Sequence, residues 1–133
     1  MDVESAGPGA PGGGGGSVER PGPGSGSAWA WRVAEPGPLG ERPTGPRGGD
    51  GPLAGWRLAV KDLIAVAGQP LRAGSAARSD ARPELADAPV VAQLRAAGSR
   101  LVGATRLHEF AFGTTGLNAL GTPDNPAAPG RAP

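Results

Sequence analysis

Cysteine and tyrosine are absent from the sequence, and lysine and histidine occur once each, as Lys61 and His108. Without cysteine there is no disulfide framework, no thiolate nucleophile and no sulfur-ligated metal. A serine–histidine–aspartate triad would have to be built on His108. His108-Glu109 opens like a zinc-protease helix, but Phe112 stands where the second histidine must be. No glycine-rich phosphate loop leads into Lys61. None of these motifs points to a metal or an organic cofactor. Long apolar runs are missing too: no stretch approaches the 18 or so residues of a membrane span. Asp2 and Glu4 stand where a secretory signal would carry its basic residues, and no apolar stretch follows. These features predict a cytoplasmic protein without a membrane partner. A net charge of +1 supplies no long-range field for nucleic acid. The Arg47-Gly48-Gly49 triplet is a single copy without aromatic neighbours, so nucleic acid is not expected as a partner.

Glycine and proline are abundant instead, 25 and 16 of 133 residues. That exceeds the roughly one-quarter share at which sequence without a period tends towards disorder. They are concentrated before residue 51, with an unbroken run from Gly12 to Gly16. Such sequence buries too little apolar surface to offset the entropy of ordering it. Residues 1–50 are accordingly expected to form a disordered tail and linker, and residues 51–133 a partial domain. Within the tail, Trp29, Trp31 and Val33 alternate. They read either as an edge strand or as a loosely docked hydrophobic tether.

From Gly51 onward the pattern becomes that of an α/β fold. Trp56 to Val60 suits a strand, and Leu63 to Val66 a second short one. Gly68-Gln69-Pro70 marks a turn. Asp87 is placed as a helix N-cap, with Pro89 in the first turn. Val90, Val91, Leu94 and Ala97 then recur at helical spacing, and Gly98 supplies the stop. Leu101 and Val102 fit a buried strand between Ser99 and Ala104. Strand, helix and strand in this order predict a β-α-β unit. Leu107 to Ala111 fits another short helix, and loop follows from Gly113. A unit of this size leaves at least one sheet edge and one helix face without cover, so the piece reads as incomplete.

Lys61 carries the chemical interest. In a chain whose other cations are all arginine, the sole lysine lies in the most strand-like stretch. Arginine stays charged in proteins, whereas a buried lysine can give up its proton and act as a base. A lysine in a strand is more ordinarily a solvated edge residue that discourages aggregation. Spacing alone leaves both readings open.

The stretch from Gly51 to Asp62, Gly-Pro-Leu-Ala-Gly-Trp-Arg-Leu-Ala-Val-Lys-Asp, resembles the opening block of the amidase signature family. The resemblance continues through Val66–Gly68, Ala73-Gly-Ser75 and Asp87–Gly98. It runs on through Gly103-Ala-Thr105, His108-Glu-Phe-Ala-Phe-Gly113, Gly121–Pro126 and Pro129-Gly-Arg131. It implies the N-terminal portion of a mixed sheet flanked by helices. It also implies hydrolysis of carbon–nitrogen amide bonds by a nucleophilic serine, a cis-serine and a lysine. By resemblance Lys61 is the catalytic lysine, and Ala111, Phe112, Gly113 and Thr114 lie beside the substrate pocket. Neither serine of that machinery lies within these residues, because the family's Gly/Ser-rich signature would follow Pro133. The chain alone is thus expected to be inactive. Its expected partners are a small-molecule amide, in the full-length enzyme, and a C-terminal part on which it would dock. The alternative is a non-catalytic interaction protein built on a partial amidase domain.

Overall fold

A computed structural model describes residues 17–34 and 51–133; the remainder of the expected tail, 1–16 and 35–50, lies outside the described residues. Four strands form one mixed sheet: β1 (Val18–Glu19), β2 (Trp29–Val33), β3 (Arg57–Lys61) and β4 (Arg100–Thr105). Their order is β1-β2-β4-β3. β1 and β2 are antiparallel, as are β2 and β4, whereas β3 and β4 are parallel. Helix α1 (Pro89–Ala96) makes the crossover between the parallel pair, as expected for a β-α-β unit.

Trp29–Val33 is a strand, and it lies inside the sheet rather than at its edge. Trp31 pairs with Ala104 and keeps only 2% of its surface exposed. Burying so large an aromatic is what holds this glycine-flanked stretch in the sheet. Close approach of β2 to β4 requires Gly103. A side chain there would meet the Trp31 carbonyl and the Trp29 ring, and its φ of +156° suits glycine.

The core gathers Trp31 from β2, Val60 from β3, Ala104 from β4, Val91 from α1, and Val66 from the loop after β3. Val91 is fully buried, a contribution of about 1.5–3 kcal/mol. Its neighbour Val90 is 49% exposed, so the apolar face of α1 is narrower than the spacing predicts. Consecutive helical residues point about 100° apart, and of the residues of α1 only Val91 belongs to the core.

Three local expectations are corrected. Leu63–Val66 is not a strand, because the N–H groups of Leu63 and Ile64 both turn back to the Lys61 carbonyl. Ile64 and Val66 reach the core from that turn instead. The N-cap of α1 is Ala88, with no side-chain cap. The Asp87 carboxylate is engaged elsewhere, accepting from Ala67 N at 2.8 Å and pairing with Arg95 at 3.0 Å. Finally, Leu107–Ala111 yields only a 3₁₀ turn at Glu109–Ala111, with Phe110 and Ala111 at φ of 50° and 60°.

Candidate functional site

The parallel strands β3 and β4 end together, at Lys61 and Thr105, which are paired in register. The carboxyl ends of parallel strands are where α/β sheets form ligand crevices. The loops starting at Asp62 and Arg106 leave the sheet at this end. Alternation along β3 buries Val60 and half-buries Leu58 against the core, and turns Arg57, Ala59 and Lys61 to the opposite, exposed face. Among the described residues no helix covers that face. The buried environment expected for a lysine base is therefore not present. Lys61 is exposed, and among the described residues its side chain has no hydrogen bond or ion pair.

Asp62, one residue on, points inward and is 6% exposed. The backbone N–H groups of Arg72 and Gly74 favour its charged form. Burial raises its pKa above the ordinary carboxylate value, against the opposing pull of those N–H groups and of the Arg20 and Arg72 charges. Asp62 lines a cavity of about 240 Å³ together with Arg72, Ser75, Arg106, Asn118 and Leu120, among others. Lys61 does not line it.

Two side chains organise the walls of this cavity. Arg106 donates to the carbonyls of Trp29, Leu120, Gly121, Pro21 and Gly22, and to Ser25 Oγ. A planar guanidinium can serve so many acceptors in one place. It fastens the segment before β2 to the loop near residue 120. Asn118 donates to the Gly74 and Leu107 carbonyls, both at 2.8 Å. A side chain at Gly74 would strike that amide, which fits its φ of +66°.

The segment Ala111–Thr114 lies on a turn that the loop before it holds in place. Phe110 N donates to the Ala73 carbonyl at 2.8 Å, and Ser75 Oγ to Glu109 at 2.5 Å. Phe112 is 91% exposed, and Gly113 and Thr114 are exposed as well. Thr114 lines a second cavity, of about 290 Å³, with Arg106, Leu107, Thr115, Gly116, Pro123 and Pro133. Neither cavity unites Lys61 with residues 111–114. Asp62, Arg106 and Asn118 were not distinguishable as site-forming by sequence reasoning. The only signal was that Asp62 adjoins the sole lysine. No group of three or more histidine, aspartate or glutamate side chains is placed to hold a metal ion among the described residues. No helix among them is long and apolar enough to cross a membrane.

Comparison with known proteins places this arrangement. A glutamyl-tRNA(Gln) amidotransferase subunit from Haloarcula marismortui is 47% identical over 85 residues, 63% of this chain and 20% of that protein. Indoleacetamide hydrolase of Pseudomonas savastanoi is 44% identical over 80 residues, 59% of this chain and 17% of that protein. The chain thus spans about a fifth of the length of the curated relatives it matches. Among solved structures, one described as a vestigial protein complex revealing the origins of an s-triazine catabolic enzyme is 41% identical. Its TM-score is 0.58, over 61% of this chain and 18% of that one. A crystal structure of an amidase is 42% identical with a TM-score of 0.51, over 59% of this chain and 18% of that one. Residues 38–133 match the family model described as Amidase, and the chain belongs to the amidase family.

Proposed function

We propose that these residues are the N-terminal part of an amidase-type hydrolase that cleaves carbon–nitrogen bonds of small-molecule amides. Lys61 is assigned the role of proton acceptor in a serine–cis-serine–lysine mechanism. The observation that carries this reading is the position of Lys61, at the carboxyl end of β3 on a sheet face that no described helix covers. A segment bearing the two serines can be laid over such a face, and its burial of the amine would favour the neutral, proton-accepting form. The neutral amine takes the nucleophile's proton through the cis-serine. The serine oxygen attacks the amide carbonyl, the amine leaves with a proton, and water releases the acid. Ala111, Phe112, Gly113 and Thr114 are assigned to the wall of the substrate pocket.

On this reading the 133 residues by themselves hydrolyse amides at background rate. Oxyanion donors alone are worth roughly 10²–10³ in rate, and these residues contain neither those donors nor the serines at the family's positions. The test is complementation. The purified chain is assayed on aryl and aliphatic amides, alone and mixed with the part of a relative that follows the matched region. Turnover is expected only in the mixture and only with Lys61 present. Turnover by the chain alone that survives Lys61→Ala overturns the assignment.

A second reading, a non-catalytic interaction protein on a partial amidase domain, is favoured by exposed apolar side chains. Trp56 is 66% exposed, and Leu85 and Phe112 are almost entirely so. Size-exclusion chromatography separates the two readings. A defined complex with a partner other than the part of a relative used for complementation supports the interaction protein, and a complex with that part alone supports the enzyme fragment.

A further inference from the structure

We infer that His108 is a positioning residue that holds the loop 113–116 in place only while its imidazole is neutral. The Nε2 atom of His108 accepts a hydrogen bond from the Gly116 N–H and lies 3.4 Å from Thr115 Oγ1. An imidazole nitrogen can accept only when it carries no proton, so the proton of the neutral ring is on Nδ1. The ring is packed on Gly113, where a Cβ would come within 2.4 Å of Nδ1. Gly113 thus leaves room for the ring, and Gly116 supplies its donor. A protonated ring turns a second N–H towards the Gly116 N–H and loses the bond.

The charged groups around the ring are otherwise committed. Glu109, next in sequence, directs its carboxylate to Ser75 Oγ. Arg106 is engaged with backbone carbonyls and Ser25. Residues 113–116 and the Ala73–Gly74 segment packed beneath carry no ionisable side chain. Asp62, buried at the same end of the sheet, lies in a different set of contacts, with Arg20, Arg72 and Gly74. The consequence for substrate binding rests on the proposed place of residues 111–114 in the pocket. The pH-dependent tether itself does not.

The test is nuclear magnetic resonance of the labelled 133-residue chain between pH 8 and pH 5. The Gly116 amide and the His108 ring should titrate with one midpoint, and protection of Gly116 from exchange should fall at least tenfold at the acid end. His108→Gln keeps an acceptor without a titration, so Gly116 should stay protected at both ends. His108→Ala should leave it unprotected throughout. Protection that persists in His108→Ala overturns the inference, as does a titration that persists in His108→Gln, which would point to Asp62. A Gly116 amide unprotected in the unaltered chain at pH 8 overturns it too. Failure of the amidase reading is a separate result, namely absence of Lys61-dependent turnover with the Gly116 titration intact.

Discussion

The Ser75 hydroxyl donates to a Glu109 carboxylate oxygen 2.5 Å away, joining two turns 34 residues apart. Ser75 Oγ also accepts from Ala77 N and so caps the short 3₁₀ turn Ala76–Arg78. Ser75 is 1% exposed, so neither bond is easily replaced by water. The pair helps to hold Phe110 and Ala111 in the left-handed region, where each non-glycine residue costs about 1–2 kcal/mol.

Ser75→Ala should therefore lower stability by about 1–2 kcal/mol, from a lost cap and a lost charge-assisted bond. A urea midpoint measures this. Amide exchange over residues 110–114 should rise more than elsewhere, because the turn loses what offsets its strain. Glu109→Gln keeps an acceptor for Ser75 and should cost less. Equal loss in both variants would mean that the carboxylate charge, not the hydroxyl, holds the turn.

Asp62 gives a pH prediction. Burial raises its folded pKa above the unfolded value, so the native state binds this proton more tightly. Its contribution to stability is then fullest below the ordinary aspartate pKa and is lost as pH rises through the higher native value. Asp62→Asn carries no charge to desolvate and retains an oxygen for one of the Arg72 and Gly74 N–H groups. The variant should gain on the parent as pH is raised from about 3 to 7, measured by denaturant midpoints. Asp62→Ala should instead be less stable than Asp62→Asn at every pH, because it leaves the Arg72 and Gly74 N–H groups without a nearby oxygen.

Arg106 is the fastening between the stretch before β2 and the loop near residue 120. Lysine cannot reproduce the planar fork, so Arg106→Lys should keep the charge and lose most of the bonds. The expected result is a stability loss of about 2–3 kcal/mol. Hydrogen exchange should quicken at residues 21–25 and 118–121 together. Quickening at only one of these segments would show that Arg106 does not couple them.

Much of the β-α-β unit was legible in sequence because its signals are local. The inward positions of β3 are marked by Leu58 and Val60, and Pro89 and Gly98 bracket the helix. The errors arose where distant contacts decide. Leu63–Val66 is apolar enough for a strand, but the Lys61 carbonyl captures two successive N–H groups and turns the chain. Asp87 has the chemistry of a cap and is drawn off by Ala67 and Arg95. Glycine-rich composition hid β1 and left β2 open between an edge strand and a tether, because its place inside the sheet depends on Trp31 meeting a core that only the folded chain assembles. The walls of the cavity at Asp62 were not readable, since Arg106 and Asn118 act on carbonyls, which carry no sequence signal.

Lys61 separates stability from function. Its side chain is exposed, and among the described residues it has no partner, so removing it breaks no contact seen there. Surface changes of that kind fall within about 0.5 kcal/mol. Lys61→Ala should therefore unfold at the same urea concentration as the parent chain. In the complemented enzyme the same change should abolish turnover, because the serine would have no acceptor for its proton. Lys61→Arg should be equally stable and equally inactive, since guanidinium does not give up its proton. Activity retained by Lys61→Arg would leave Lys61 a surface charge and remove the base from the proposed mechanism.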